Sequence, residues 1–200
     1  MRIYNKCLKN SVEYYKTNNL WIKFTLHFLI CFSFINAGIC QDKKINKTIE
    51  FIKNKNFQSA EEIISSLSKK APTTPAVLFV KAILYGDQDY IKFNIDSCFI
   101  YYSLAIEEVK KSDAKEQLEL CSNFNLCMSI SLAVRDSIAG IAFNQYKSFK
   151  SIEKMKNFNE TYKGTKYILN SNNYIEELYY TIAIDSNTTS AYLDFLKLYR

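Results

Sequence analysis

A chain of 200 residues with 48% apolar and 23% charged side chains can form one continuous core or two small ones, and these ordinary proportions argue against wholesale disorder. Only 4 Gly and 2 Pro accompany 15 Tyr and 14 Phe, which argues against a sheet protein needing frequent tight turns and for helices packed on helices. The formal charge of +6 is concentrated early: residues 1–40 hold five basic side chains and one acidic one, leaving 21 basic and 19 acidic residues beyond, too even a mixture for nucleic acid to be an expected partner.

In chain order, the first predicted element is a hydrophobic leader helix. A basic, polar stretch over residues 1–19 precedes an apolar run from Leu20 to Cys40, densest between Phe24 and Ile35 and interrupted by His27. Ala37 and Gly38 follow, then the polar sequence Gln41-Asp42-Lys43-Lys44. This is the order of a secretory signal peptide, and its apolar part is shorter than the roughly 20 residues of a spanning helix. Residues 1–40 are therefore expected to be removed after Cys40, leaving a chain exported to the periplasm or cell envelope. The resulting Gln41 terminus resembles exported proteins of the Bacteroidetes type. The alternatives are an uncleaved anchor beginning near Leu20, which would be the only membrane contact, and lipidation at Cys40, against which Ile39 stands where a small residue is needed. The long basic region also leaves open a translation start later than Met1.

Residues 41–112 read as two helix hairpins. Ile45, Ile49 and Ile52 fall at helical spacing, and Asn54-Lys55-Asn56 interrupts them. Phe57, Ala60, Ile63, Ile64 and Leu67 form a second stripe, closed by Lys69-Lys70-Ala71-Pro72. Pro75 suits a first helical turn. Leu78, Ala82 and Tyr85 then form a third stripe, broken at Gly86-Asp87-Gln88-Asp89, and Asp96-Ser97 is expected to cap a fourth helix carrying Cys98, Tyr102 and Ala105. The slots filled by Phe51, Phe57, Ala60, Ile64, Leu67 and Pro72, and again by Leu78, Ala82, Tyr85, Cys98, Tyr102 and Ala105, resemble the tetratricopeptide repeat. Lys44, Lys47 and Thr48 depart from that family's Trp, Leu and Gly, so the first unit is degenerate or terminal, and the second departs by about four extra residues between its helices, after Gly86-Asp87-Gln88-Asp89. The resemblance implies an all-α fold of helix hairpins stacked as a short solenoid; its alternative is a plain helical bundle.

Residues 113–200 extend the helical-repeat region. Apolar positions from Leu118 to Ala142 predict helix across 114–147 without a clear unit boundary. Ala142-Phe143, Ser151-Ile152-Glu153, Phe158 and Tyr162 recur 37 residues later as Tyr179-Tyr180, Thr188-Thr189-Ser190, Phe195 and Tyr199. Each copy starts a helix after a Ser or Thr cap and closes on Phe-x-x-x-Tyr, one turn apart. It resembles helical repeats of bacterial envelope proteins, with Lys163 and Arg200 in place of the usual proline. No polar capping helix follows Tyr199, so either a partner covers that end or the chain is a fragment.

No catalytic, cofactor or metal residues are expected. The sole histidine, His27, lies in the leader, and Gly38, Gly86, Gly140 and Gly164 are isolated, so no phosphate loop is present. Cys98, Cys121 and Cys127 form no Cys-x-x-Cys pair. Cys98 suits a small core slot, and two of the three could join in an exported protein; Cys121 with Cys127 is disfavoured inside one helix, where six residues separate them widely. Glu61-Glu62, Glu107-Glu108 and Glu176-Glu177 read as solvated helix faces, since adjacent helical residues do not converge. Among the aromatic clusters some rings should be exposed. Asn46, Asn159 and Asn187 fit the glycan acceptor pattern, which matters only in a eukaryotic secretory pathway.

The resemblance implies a non-catalytic scaffold that binds a protein or peptide through a groove faced by first-helix residues, with Lys81, Tyr85 and Tyr101 as partner-binding candidates and no cofactor or small-molecule substrate. The alternatives are an amino-terminal spacer of a longer envelope protein and an enzyme with an unrecognised carboxylate site.

Overall fold

The computed structural model describes residues 40–199, and the leader with His27 lies outside them. Nine α-helices and no strand occur among the described residues: α1 (Cys40–Lys53), α2 (Phe57–Lys70), α3 (Pro75–Gly86), α4 (Ile95–Lys111), α5 (Ala114–Phe124), α6 (Met128–Ser148), α7 (Ile152–Thr161), α8 (Tyr167–Ser186) and α9 (Thr189–Tyr199).

Local chemistry sets the breaks. Lys55, in left-handed backbone at φ 59°, turns the chain out of α1, and Asn56 caps α2 by accepting from the Ser59 N–H. Pro75 occupies the first turn of α3, where no N–H is needed. The cap of α4 differs from expectation: Asn94 accepts from Ser97 N–H at 2.7 Å, while Asp96 lies inside the first turn. Asn94 has the required extended backbone one residue before the helix, which frees the Asp96 carboxylate for other donors.

Packing repeats. Helix α1 contacts α2 and α3, α2 contacts α3, and α3 makes the most extensive contact of all with α4. Further on, α6 contacts α7 and α8, α7 contacts α8, and α8 contacts α9. The two sets join through α4 and α6, while α5 touches α3 and α4 more lightly. Ala60, Cys98 and Ala105, the small residues between the paired helices, are all buried. At Gly86 a Cβ would come within 2.8 Å of the Cys98 Sγ; the α3–α4 contact is close because both positions are small. Gly140 does the same for α6 and α8, since the Tyr167 hydroxyl lies where its Cβ would be.

The region 114–147 is not one helix. Helix α5 stops at Phe124, Asn125 adopts φ 56°, and its N–H returns to Leu120 and Cys121 carbonyls. Leu126, donating its N–H to the Leu120 carbonyl, is fully buried behind the turn. This is the arrangement in which a left-handed Asn stands in for glycine and the next apolar residue seals the helix end. The axis bends by 51° between α5 and α6. The bend overturns the cysteine expectation: Cys121 and Cys127 are disulfide-bonded, with Cα atoms 4.4 Å apart. In an unbroken helix six residues would rise about 9 Å. Cys98 is the free, buried cysteine among the described residues, as expected for a small core slot.

The 37-residue similarity is visible in contacts. Ser151 Oγ caps α7 through the Lys154 N–H at 3.3 Å, and Thr188 Oγ1 caps α9 through the Ala191 N–H at 3.2 Å. Phe143 meets Phe158 at 5.7 Å between ring centroids and Tyr180 meets Phe195 at 5.4 Å. Phe158 stacks on Tyr162 at 4.6 Å, and Phe195 lies 5.2 Å from Tyr199.

Candidate functional site: an aromatic and lysine-lined groove

Lys81 and Tyr85 lie one turn apart on α3, and Tyr101 projects from α4 beside them. The structure brings all three together. The Tyr85 and Tyr101 rings stack with centroids 5.6 Å apart, and the Lys81 ammonium sits 5.3 Å from the Tyr101 ring centre, in range for attraction between a cation and an aromatic face. All three side chains are half-buried. They line an open groove of about 300 Å³, whose other walls are Glu61, Ile64, Ser65 and Ser68 of α2, Leu84 of α3, and Tyr90 and Lys92 of the α3–α4 connection.

The groove is not faced by first helices alone. Its two sides come from α2 and α4, the second helix of each hairpin, with α3 between them. The reason is the length of the 87–94 connection. Lys55 binds Asp87 at 2.8 Å and Asp89 at 3.0 Å, and Asn94 N–H donates to the Tyr85 carbonyl, so the connection folds back over α2 and buries Tyr90. The Tyr90 ring packs against Phe57 at 5.3 Å and against the edge of Tyr85 at 5.9 Å.

Glu61 is not simply a solvated helix carboxylate. It accepts hydrogen bonds from the Tyr90 hydroxyl and from Lys92 Nζ at 2.8 Å. The Lys92 bond and then the Tyr90 bond hold the Glu61 carboxyl below its ordinary range. Burial, reinforced by Glu61, pushes the Tyr90 hydroxyl upward, and its bond to Glu61 raises Lys92. The Lys92–Glu61 pair is largely exposed, so its contribution is to shape the rim more than to stabilise the fold. Lys81, in contrast, has no acidic partner among the described residues, and the buried Ser68 hydroxyl in the same groove has no hydrogen-bond partner. The arrangement therefore offers one uncompensated cation, one free hydroxyl and two stacked tyrosine rings on a partly apolar floor.

Glu61, Ser68, Tyr90 and Lys92 were not legible as site residues. Only the apolar stripe on α2 and the unusual length of the 87–94 connection hinted at them.

A second polar cluster lies in the core. Asp96 accepts from the Tyr146 hydroxyl at 2.8 Å and the Tyr162 hydroxyl at 2.5 Å, tying α6 and the end of α7 to the start of α4. Burial first, then the bonds to Asp96, raise both tyrosines. Arg135 covers the Phe99 ring at 5.2 Å nearby. This cluster is packed by Phe99, Phe158 and Cys98 and acts as a joint between the two helix sets. Among the described residues no three His, Cys, Asp or Glu side chains are placed to share a metal ion, and no single helix is long and apolar enough to cross a membrane.

No family model, curated protein or solved structure matches this chain.

Proposed function

We propose that this chain is a non-catalytic binding protein: a short, tetratricopeptide-like stack of helix hairpins, exported to the periplasm or cell envelope, that holds a peptide segment of a partner protein. The convergence of Lys81, Tyr85 and Tyr101 on one open groove carries this reading. Tyrosines presented on rigid helices bury large area at little entropic cost, and such rings dominate many interfaces. An unpaired lysine beside them and the free Ser68 hydroxyl suit a segment that brings an acidic or carbonyl acceptor next to an apolar side chain. The successive helix contacts support the stacked architecture, and small residues at Ala60, Gly86, Cys98 and Ala105 support the hairpin resemblance. The Cys121–Cys127 disulfide fits an oxidising compartment and so supports export.

Selection of peptides from a displayed random library tests it. Peptides enriched on the parent chain should lose at least about 30-fold in affinity against Tyr85→Ala and against Tyr101→Ala. Lys81→Ala should discriminate selectively against peptides with acidic residues. Enrichment of nothing, or of peptides whose binding ignores all three substitutions, counts against the groove.

A further inference from the structure

Between Asp42 and Lys111 three large apolar side chains are exposed, Ile91 at 93%, Ile100 at 46% and Leu104 at 39%, and all three adjoin residues that line the groove. Ile91 stands between Tyr90 and Lys92. On α4, Ile100 precedes Tyr101 and Leu104 follows it by three residues, so helical geometry puts Ile100, Tyr101 and Leu104 on one outer patch. The opposite lip differs. On α2 the residues that turn outward beside Glu61 and Ser68 are Gln58, Glu62, Ser65 and Lys69, all exposed and polar. The groove thus has an apolar lip on α4 and a polar lip on α2.

Backbone chemistry narrows what can lie there. The walls are helices, whose N–H and C=O groups are paired within α2, α3 and α4, and no strand edge occurs among the described residues. An extended peptide laid on such walls would bury its own N–H and C=O groups against side chains alone, and a buried polar group without a partner is costly. A helix arrives with its backbone already paired and needs only an apolar stripe facing the site. Charge adds a second condition. Glu61 is held by Lys92 and Tyr90, so it leaves the Lys81 cation uncompensated, and the buried Ser68 hydroxyl beside it has no hydrogen-bond partner. Both suit a single carboxylate.

We infer that the bound segment is a short amphipathic helix, laid with its apolar stripe on Tyr85, Tyr101, Leu104 and Ile100, its polar side toward α2, and an acidic residue beside the stripe reaching Lys81. This rests on the peptide-binding reading above and adds the conformation and charge of the partner segment. Anchors at i, i+3 or i+4 and i+7 fit such a seat. Part of the contact falls on Ile100 and Leu104, outside the groove itself.

Two displayed peptide libraries of equal composition test the inference. One places apolar residues at i, i+3, i+4 and i+7 with a glutamate among them; the other sets the same residues in strict alternation around a central proline, which bars a helix. The first should be enriched at least about tenfold over the second. Its synthetic winners, followed by fluorescence anisotropy, should lose at least about tenfold in affinity to Leu104→Lys and to Ile100→Lys, both variants keeping the parent's far-ultraviolet helical signal. Replacing the glutamate by glutamine should weaken binding to the parent and make no difference to Lys81→Ala. Leu118→Lys, at an exposed site on α5, should bind like the parent. No preference for the helical library, or winners indifferent to both Leu104→Lys and Ile100→Lys, overturns the helix, and the groove reading then stands if Tyr85→Ala still weakens the winners. Enrichment of neither library, or winners indifferent to Tyr85→Ala and Tyr101→Ala as well, overturns both.

Discussion

Between Cys40 and Lys111 the space among the paired helices is filled mainly with aliphatic and small side chains, Ile45, Ile52, Ala60, Val77, Val80, Ala105 and Val109, joined by the buried rings of Phe79, Phe99 and Tyr102, while Tyr85, Tyr90 and Tyr101 line the groove. Between Met128 and Tyr199 rings share the interior with Ile138, Ala139, Ala142, Met155 and Ile175 and are linked into one cluster. Phe143, Tyr146, Phe158 and Tyr162 form a connected aromatic cluster whose hydroxyls end on Asp96. Both regions follow the same order of helix contacts, so the order does not depend on one kind of core. What differs is cover. Phe158 lies beneath neighbours on several sides and is fully buried, whereas Phe195 and Tyr199, its counterpart and that of Tyr162, rest chiefly on α8. The same local motif is therefore a structural joint in one copy and an accessible surface in the next.

The largest test of that contrast is a pair of truncations. Phe158→Ala should destabilise the protein by about 3–5 kcal/mol, whereas Phe195→Ala, at a half-covered site, should cost about 1 kcal/mol; urea denaturation of both variants measures the difference. Equal losses would mean that α9 is as deeply packed as α7.

The joint at Asp96 should also respond to alkali. Tyr146 and Tyr162 are raised above the ordinary tyrosine value of 10.0, and the buried Cys98 thiol is pushed up from 9.0 to about 12. All three release their protons more readily when unfolded, so their contribution is complete below about pH 9 and is lost as pH rises through 9 to 12. The urea midpoint should fall across that window, and less steeply in Tyr162→Phe. An unchanged slope would show that the hydroxyl is not held in the core.

Reduction of Cys121–Cys127 removes a short covalent loop at the junction of the two regions and should cost about 2 kcal/mol. Thermal melts with and without a phosphine reductant report this, and Cys121→Ser with Cys127→Ser should melt like the reduced parent. Should reduction have no effect, the left-handed turn at Asn125 and the buried Leu126 hold the bend by themselves.

The smallest effect should be the same in both copies. Ser151→Ala and Thr188→Ala each remove one cap bond and should each cost about 1 kcal/mol. Caps depend on the adjoining turn and not on what lies over the helix, so matched losses here beside unmatched losses at Phe158 and Phe195 would locate the difference in cover.

Helix order, the breaks near Asn54 and Gly86, the burial of Ala60, Cys98 and Ala105, and the 37-residue similarity were legible because they rest on spacing and on small residues, signals that lie within a few turns of chain. The groove was legible in part: Lys81, Tyr85 and Tyr101 stand near the end of α3 and on the facing turn of α4. Glu61 and Tyr90 escaped, since their hydrogen bond joins residues 29 apart in sequence.

Composition and periodicity by themselves determined an all-helical chain, its hairpins and the Ser and Thr caps of α7 and α9, because each follows from side-chain propensity over one or two turns; the α4 cap fell at Asn94 and not at Asp96. Tertiary structure decided the rest: the second-helix walls of the groove, the Asp96 hub, the 51° bend that joins Cys121 to Cys127, and which copy of Phe-x-x-x-Tyr is buried. Each of those depends on the approach of distant segments in space, and a sequence pattern records what a residue can cover but not what comes to cover it.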